Sequence, residues 1–365
     1  MTCPGPRAPR VALISIGIGR VQRGFERYFR DLFEVLRPAA PLVLYKSAGE
    51  ESDAERVPAR LGPVTHAVRR AGRLAGHAEY HRDCLAYAVC VLTQLRRERF
   101  DVVHCIDPPL APILSRLHRT VGFPGTLLFT EGTQMPPQRY PRVDHIHHVG
   151  AGAYENALAC GVPASRMTLV PCGVHTARFV APASRAALRA RHGVGERTFV
   201  VLAISAVKRH HKRVDHLVEE VARLEGDVLL WLDGNPEDEE VVRQARARLG
   251  ARFRLTHVAS TAVPELYGLA DVLTHAALEE SFGLAIVEAM CAGLPVLVHD
   301  NAHFRWLTGD AASVVAMDVP GALAARLEAL RGAPSPSPGR GAEVRARFDW
   351  SVVGPAYLEM YRRLA

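Results

Sequence analysis

Apolar runs of strand length alternate with amphipathic stretches along this chain, and the whole alternation runs through twice. Residues 10–16 read as a buried strand, followed by a glycine loop and a helical apolar period over 25–36. Further strands are expected at 42–45, 102–105, 127–130 and 145–149, with helices at 80–97 and 110–117. The cycle restarts with strands at 199–204, 228–232, 253–257 and 272–276, and helices at 214–224, 239–249, 263–270 and 284–291. Strands alternating with helices imply parallel sheets covered on both faces. Two cycles in 365 residues imply two doubly wound α/β domains, with ligands outside the carboxyl ends of the strands in the cleft between them. A hinge is expected near 179–184. The Pro- and Ser-rich stretch 333–341 reads as a surface loop, and 344–348 and 352–364 read as closing helices.

Composition excludes several classes. Hydrophobic residues make up 48% of the chain, too many for a disordered one. The seven cysteines are scattered without a CxxC pair, which argues against a disulfide framework or a zinc site and for a reducing, cytoplasmic compartment. The apolar run at 11–18 is too short to span a membrane, and no export signal or stable membrane insertion is expected. The net charge of +7 raises nucleic acid as a partner. The arginines are spread over many helices without interleaved aromatics, so the reading is no nucleic acid. His145, His147 and His148 invite a metal, but alternating histidines on a strand are commonly structural and no carboxylate-rich site accompanies them.

The glycine loop Gly17, Gly19 and Gly24 follows a strand and opens a helix, as a dinucleotide fingerprint does. Its third glycine is displaced, and Lys46 stands where an acid would end the second strand to hold a ribose. Both points argue against a nicotinamide cofactor. At least Gly17 is as readily explained by a tight turn as by ligand approach.

The most informative segment is 279–296. Glu280 and Glu288 stand with seven residues between them, around a turn of Ser281, Phe282 and Gly283 that opens a helix at Leu284. The unpaired amides and dipole of a helix N-terminus favour an anion such as a diphosphate, while the carboxylates suit sugar hydroxyls: a hexose at Glu280 and a ribose at Glu288. An ordinary amphipathic helix with a solvated glutamate at each end fits the same spacing.

Glu280 to Gly283, Glu288 to Met290 and Gly293 to Val296 together closely resemble the E-x7-E signature of the retaining glycosyltransferases of family 4, which have the two-domain GT-B fold. Residues 170–179 resemble that family's interdomain segment, and 203–217 its phosphate-binding strand and loop. The likeness runs from about 10 to 360 and is weakest between 47 and 100. It implies an acceptor domain at 1–180, a donor domain at 181–351, and a last helix, 352–365, crossing back onto the first. It implies transfer from a nucleoside diphosphate sugar by front-face attack, with no metal or other cofactor. Donor-binding residues are then Lys208, Arg209, Lys212, Glu280, Ser281, Phe282, Gly283, Leu284, Glu288 and Gly19. The catalytic candidates are Glu280, Lys212 and Glu131. Acceptor-binding candidates are Gly17, Gly24, Asp107 and Glu131, with His104 also lining that pocket.

Two departures from the family pattern stand out. Ala206 occupies the position of a phosphate-clamping arginine, six before Lys212, so Lys208 or Arg209 is expected to supply that charge. Glu131 replaces a common histidine, which suits a base toward an acceptor hydroxyl or a seat for a cationic acceptor. No basic amphipathic helix is evident near the N-terminus, which favours a small soluble acceptor over a lipid. Arg- and Ala-rich usage with few lysines suggests a bacterial natural-product or small-molecule pathway. A sugar-nucleotide epimerase or hydrolase and a non-catalytic sugar-nucleotide-binding partner are the rival readings, and a homo-oligomer stays open.

Overall fold

The computed structural model of the chain describes residues 7–21, 23–58, 63–74, 78–331 and 338–365. They form two compact units, Met1–Gly173 with Trp350–Ala365, and Val174–Asp349.

The first unit runs β1 (Val11–Ile14), α1 (Gly24–Leu36), β2 (Leu42–Tyr45), β3 (Glu55–Arg56), α2 (Pro63–Leu74), α3 (Glu79–Glu98), β4 (Val102–Cys105), α4 (Ala111–Thr120), β5 (Thr126–Glu131), β6 (His145–His148), α5 (Ala151–Ala159) and β7 (Met167–Leu169). The second runs α6 (Arg185–Arg191), β8 (Phe199–Ile204), α7 (Val214–Ala222), β9 (Val228–Asp233), α8 (Glu239–Leu249), β10 (Phe253–Thr256), α9 (Val263–Leu269), β11 (Val272–Thr274), α10 (Leu284–Cys291), β12 (Val296–His299), α11 (Ala302–Thr308), β13 (Val314–Val315), α12 (Ala322–Leu330) and α13 (Pro338–Phe348). The closing helix α14 (Trp350–Leu364) returns to the first unit.

Both sheets are parallel. Their orders are β3-β2-β1-β4-β5-β6-β7 and β10-β9-β8-β11-β12-β13. The inner strands are buried on both faces, which is why they appear in the sequence as unbroken apolar runs. The order reverses between β1 and β4 and again between β8 and β11. Loops leaving the carboxyl ends of strands diverge at such points and leave room for a ligand.

Several expectations are adjusted. Residues 338–341, read as loop, open α13, while 333–337 lie outside the described residues. The stretch 63–74 is helical: α2 buries Thr65 and exposes His66, Arg70 and Arg73, a basic amphipathic element that periodicity did not reveal. The division between the units falls at Gly173, ahead of the expected hinge, because 174–179 is tied into the second unit. The Val174 N–H donates to the Phe348 carbonyl at 2.7 Å, Thr176 donates its hydroxyl to Asp349 at 2.5 Å, and the Phe179 ring meets Tyr267. No helix among the described residues is long and apolar enough to cross a membrane.

A buried relay fastens α14 to the first sheet. His147 Nε2 lies 2.8 Å from the Val170 carbonyl, which only accepts, so that nitrogen carries the proton and Nδ1 is bare. The Thr130 hydroxyl therefore donates to His147 Nδ1 at 2.8 Å and accepts from His104 Nε2. The phenol of Tyr361 donates to His104 Nδ1 at 2.8 Å. His104, read as lining an acceptor pocket, is instead a fully buried link to α14, and His145 is engaged by Thr168. Burial holds the His147 imidazole at about 3 and His104 well below the ordinary range. Replacing Tyr361 with Phe should cost about 1–2 kcal/mol in urea unfolding, and an unchanged midpoint would show the relay to be idle. Between the ordinary imidazole value and about 3 the unfolded chain binds the His147 proton and the folded chain does not. Stability should therefore be full above about pH 6.5 and fall as pH drops toward 3, less steeply in His147→Asn.

Candidate functional site

The second unit places two loops together at its switch point. One leaves β8 and carries residues 205–213; the other leaves β11 and carries 275–283. In the first, His211 and Arg213 sit at φ of 70° and 50°, a left-handed conformation that non-glycine residues adopt only when their surroundings impose it. Arg213 donates to the Met317 carbonyl at 2.8 Å, which fixes the end of that loop at the start of α7.

The loops meet at Glu280. Lys212 Nζ and His275 Nε2, the latter at 2.9 Å, both donate to Glu280 Oε1, and His211 Nε2 stands 3.7 Å from the same oxygen. Burial alone pushes this carboxyl up. Hydrogen bonding and charge from His275, then from Lys212, outweigh it and hold the group well below the usual carboxylate range. Both hydrogen bonds to the carboxylate, from Lys212 and His275, fall on Oε1 and neither on Oε2. Three residues on, Gly283 at φ +97° turns the chain into α10, and a Cβ there would come within 2.8 Å of Ile286. The N-terminus of α10 has no side-chain cap, so its first-turn amides are not satisfied by a neighbouring side chain.

The other donor candidates divide. Ser281 and Leu284 stay half-buried at this turn. The Phe282 side chain turns inward against Trp306 and Phe348, and only its backbone faces the site, accepting from His303 Nε2 at 3.1 Å. Glu288 is buried on α10 and accepts from the Tyr267 phenol at 3.0 Å. Lys208 and Arg209, expected to replace the family arginine at Ala206, make no contact with Glu280. Lys208 is held by Glu237 at 2.8 Å, and Arg209 reaches Gln244 at 3.3 Å and Asp215 at 3.8 Å. His275 and His211 were missed: one ends a strand run and one sits in an irregular loop, and neither position carries a periodic signal.

The first unit gathers its candidates at the carboxyl ends of β1, β4 and β5. Asp107 Oδ2 accepts from the Ile16 N–H at 3.0 Å, and burial pushes this carboxyl up to about 7. Gly17 packs on Glu26, another residue the sequence did not single out: a Cβ there would lie 2.5 Å from its Oε1. Gly19 sits at φ +88°, and a Cβ there would lie 2.4 Å from the Ala48 carbonyl oxygen, so close approach of the β2 loop explains that glycine without a ligand. Gly24 opens α1. Glu131 is 1% exposed, and burial raises its carboxyl.

Residues 198–332 match the family described as glycosyl transferases group 1. The chain is 29% identical over 250 residues to the GDP-mannose:cellobiosyl-diphosphopolyprenol alpha-mannosyltransferase of Komagataeibacter xylinus, covering 60% of this chain and 59% of that one. It is 26% identical over 340 residues to the D-inositol 3-phosphate glycosyltransferase of Streptomyces bingchenggensis, covering 84% of this chain and 72% of that one. Among the first relatives the chain spans between 39% and 59% of their length. Among solved structures, sucrose-phosphate synthase from Thermosynechococcus elongatus superposes with a TM-score of 0.76 at 19% identity, over 98% of this chain and 99% of that one. Anabaena HepE in complex with UDP and glucose gives 0.74 at 15% identity, over 98% and 100%. The fold is GT-B, with two Rossmann-like units.

Removing Lys212 would leave Glu280 with less of the charge that stabilises it. Lys212→Met should therefore lower stability by about 1–3 kcal/mol, and the loss should shrink in a Glu280→Gln background. A denaturant double-mutant cycle measures this; strictly additive losses would show that the two side chains are not coupled.

Proposed function

We propose that this chain is a retaining glycosyltransferase that moves a sugar from a nucleoside diphosphate sugar to a hydroxyl acceptor. The observation that carries the reading is the Glu280 carboxylate, ionised and immobilised through Oε1 while Oε2 stays available to sugar hydroxyls, beside the uncapped N-terminus of α10. A carboxylate and an anion site side by side match the two ends of a sugar diphosphate. Lys212 and the first-turn amides of α10 oppose the charge that develops on the departing diphosphate, commonly the largest single catalytic contribution. Glu280 orients the sugar, and Glu288 serves the ribose. Front-face attack, with the departing phosphate taking the acceptor proton, gives retention. We place the reaction in the cytoplasm, as the scattered cysteines suggest.

The acceptor reading shifts. A small soluble acceptor was favoured because no basic amphipathic helix was evident, yet α2 is one. Two relatives' names point the same way, to a diphosphopolyprenol-linked cellobiose and phosphatidylinositol monomannoside, while a third names the soluble inositol 3-phosphate; all three offer ring hydroxyls. We therefore propose a polyhydroxylated glycan or cyclitol as the accepting group.

Glu280→Ala should lower turnover by about a hundredfold or more with little change in donor KM, and Glu288→Gln should mainly raise donor KM. Proton NMR of the product should show the anomeric configuration of the donor retained. Inversion would remove the front-face mechanism, and release of free sugar or an epimer without acceptor would favour the hydrolase or epimerase alternative. Unchanged kinetics in both variants would sink the site assignment.

A further inference from the structure

Glu131 and His148 end neighbouring strands and are register partners on β5 and β6. One residue earlier the partners Thr130 and His147 hydrogen-bond side by side, so partners here share a face, and alternation sends Glu131 and His148 to the opposite one. There both are shut in, at 1% and 0% exposed. Glu131 Oε1 is saturated: it accepts from the Thr133 N–H at 2.7 Å, the Thr133 hydroxyl at 3.2 Å and the Met135 N–H at 3.0 Å. Its Oε2 has no partner, and neither has either ring nitrogen of His148. The Tyr140 and Tyr154 rings flank that imidazole at 5.8 and 5.7 Å. Buried polar side chains in folded proteins are nearly always matched, so three unmatched atoms on one face, at the carboxyl ends of adjacent strands, call for a ligand.

We propose that Glu131 Oε2 and His148 form a hydroxyl-binding subsite for the polyhydroxylated acceptor, a proposal that rests on the transferase reading for the identity of its ligand. A carboxylate oxygen only accepts, whereas a neutral imidazole offers one N–H and one bare nitrogen. One hydroxyl of a polyol donates to Glu131 Oε2 and accepts from the His148 N–H, and a neighbouring hydroxyl donates to the bare ring nitrogen, so that all three atoms are matched. An ammonium group would satisfy Glu131 and leave the imidazole N–H unmatched, and a phosphate would meet the carboxylate charge. Tyr140 and Tyr154 supply flat apolar walls for the C–H face of a sugar or cyclitol ring. Both groups lie closed off in this conformation. Residues 132–140, which hold no strand or α-helix and only a short 3-10 turn at Pro137–Arg139, must lift at their Tyr140 end to admit a ligand, while Oε1 keeps Thr133 and Met135 in place.

Titration calorimetry of the full chain with D-mannose, D-glucose, cellobiose and myo-inositol, alone and with each common nucleoside diphosphate, reads the subsite. The expected result is binding of at least one polyol, weakened about tenfold or more by His148→Phe and by Glu131→Gln, with nucleotide affinity unchanged. Urea unfolding of His148→Phe gives a second readout. An apolar ring among aromatic neighbours should hold the midpoint or raise it, because the unmatched nitrogens are gone. Polyol binding that is absent throughout or equal in all three proteins overturns the subsite, and so does a lowered midpoint without loss of polyol affinity. Wild-type protein that binds polyol but no nucleotide would sink the transferase reading and leave the subsite standing.

Discussion

The carboxylate of Glu280 joins the two loops that leave the second sheet at its switch point. One comes from β8 and brings Lys212; the other comes from β11 and brings His275 and Glu280 itself. That junction adds to the contacts that hold the left-handed residues His211 and Arg213 beside the start of α10. The arrangement also assigns the two carboxylate oxygens different tasks. Oε1 is committed to the protein, and under the proposed function Oε2 meets the sugar.

The first unit shows the same division on the two faces of β5 and β6. On one face Thr130 and His147 belong to a relay in which every donor and acceptor is matched, from Tyr361 to the Val170 carbonyl. That face is structural: it seats α14. On the other face, Glu131 and His148 leave three polar atoms unmatched. A single strand pair thus separates the part that holds the unit together from the part with the chemistry to meet a ligand.

Much of the architecture could be read from the sequence because strands buried on both faces leave continuous apolar runs, as at 42–45, 102–105 and 199–204. What escaped, besides the twelve-residue α2, was mostly short or edge structure. β3 has two residues, β7 has three and α6 has seven, too few to establish a period. The family resemblance marks both Lys212 and Glu280, one for the diphosphate and one for the sugar, but not their pairing with each other. His275 was not foreseeable, since one histidine at the end of a strand has no pattern around it. Lys208 and Arg209 were assigned to the phosphate because they are near in sequence. Their partners Glu237 and Gln244 come from the region around α8, which only folding brings alongside. Phe282 was assigned to the donor without distinguishing which part of it would serve, and the fold sends its ring into Trp306 and Phe348.

The central claim is that the site around Glu280 and α10 takes a nucleoside diphosphate. Direct calorimetric titration of the full chain with UDP, GDP, ADP and dTDP, with NAD as control, tests it most directly. The account predicts binding of at least one diphosphate, weakened about tenfold or more in Lys212→Met, and none of NAD. Absence of binding by all four, or binding of NAD alone, would contradict it.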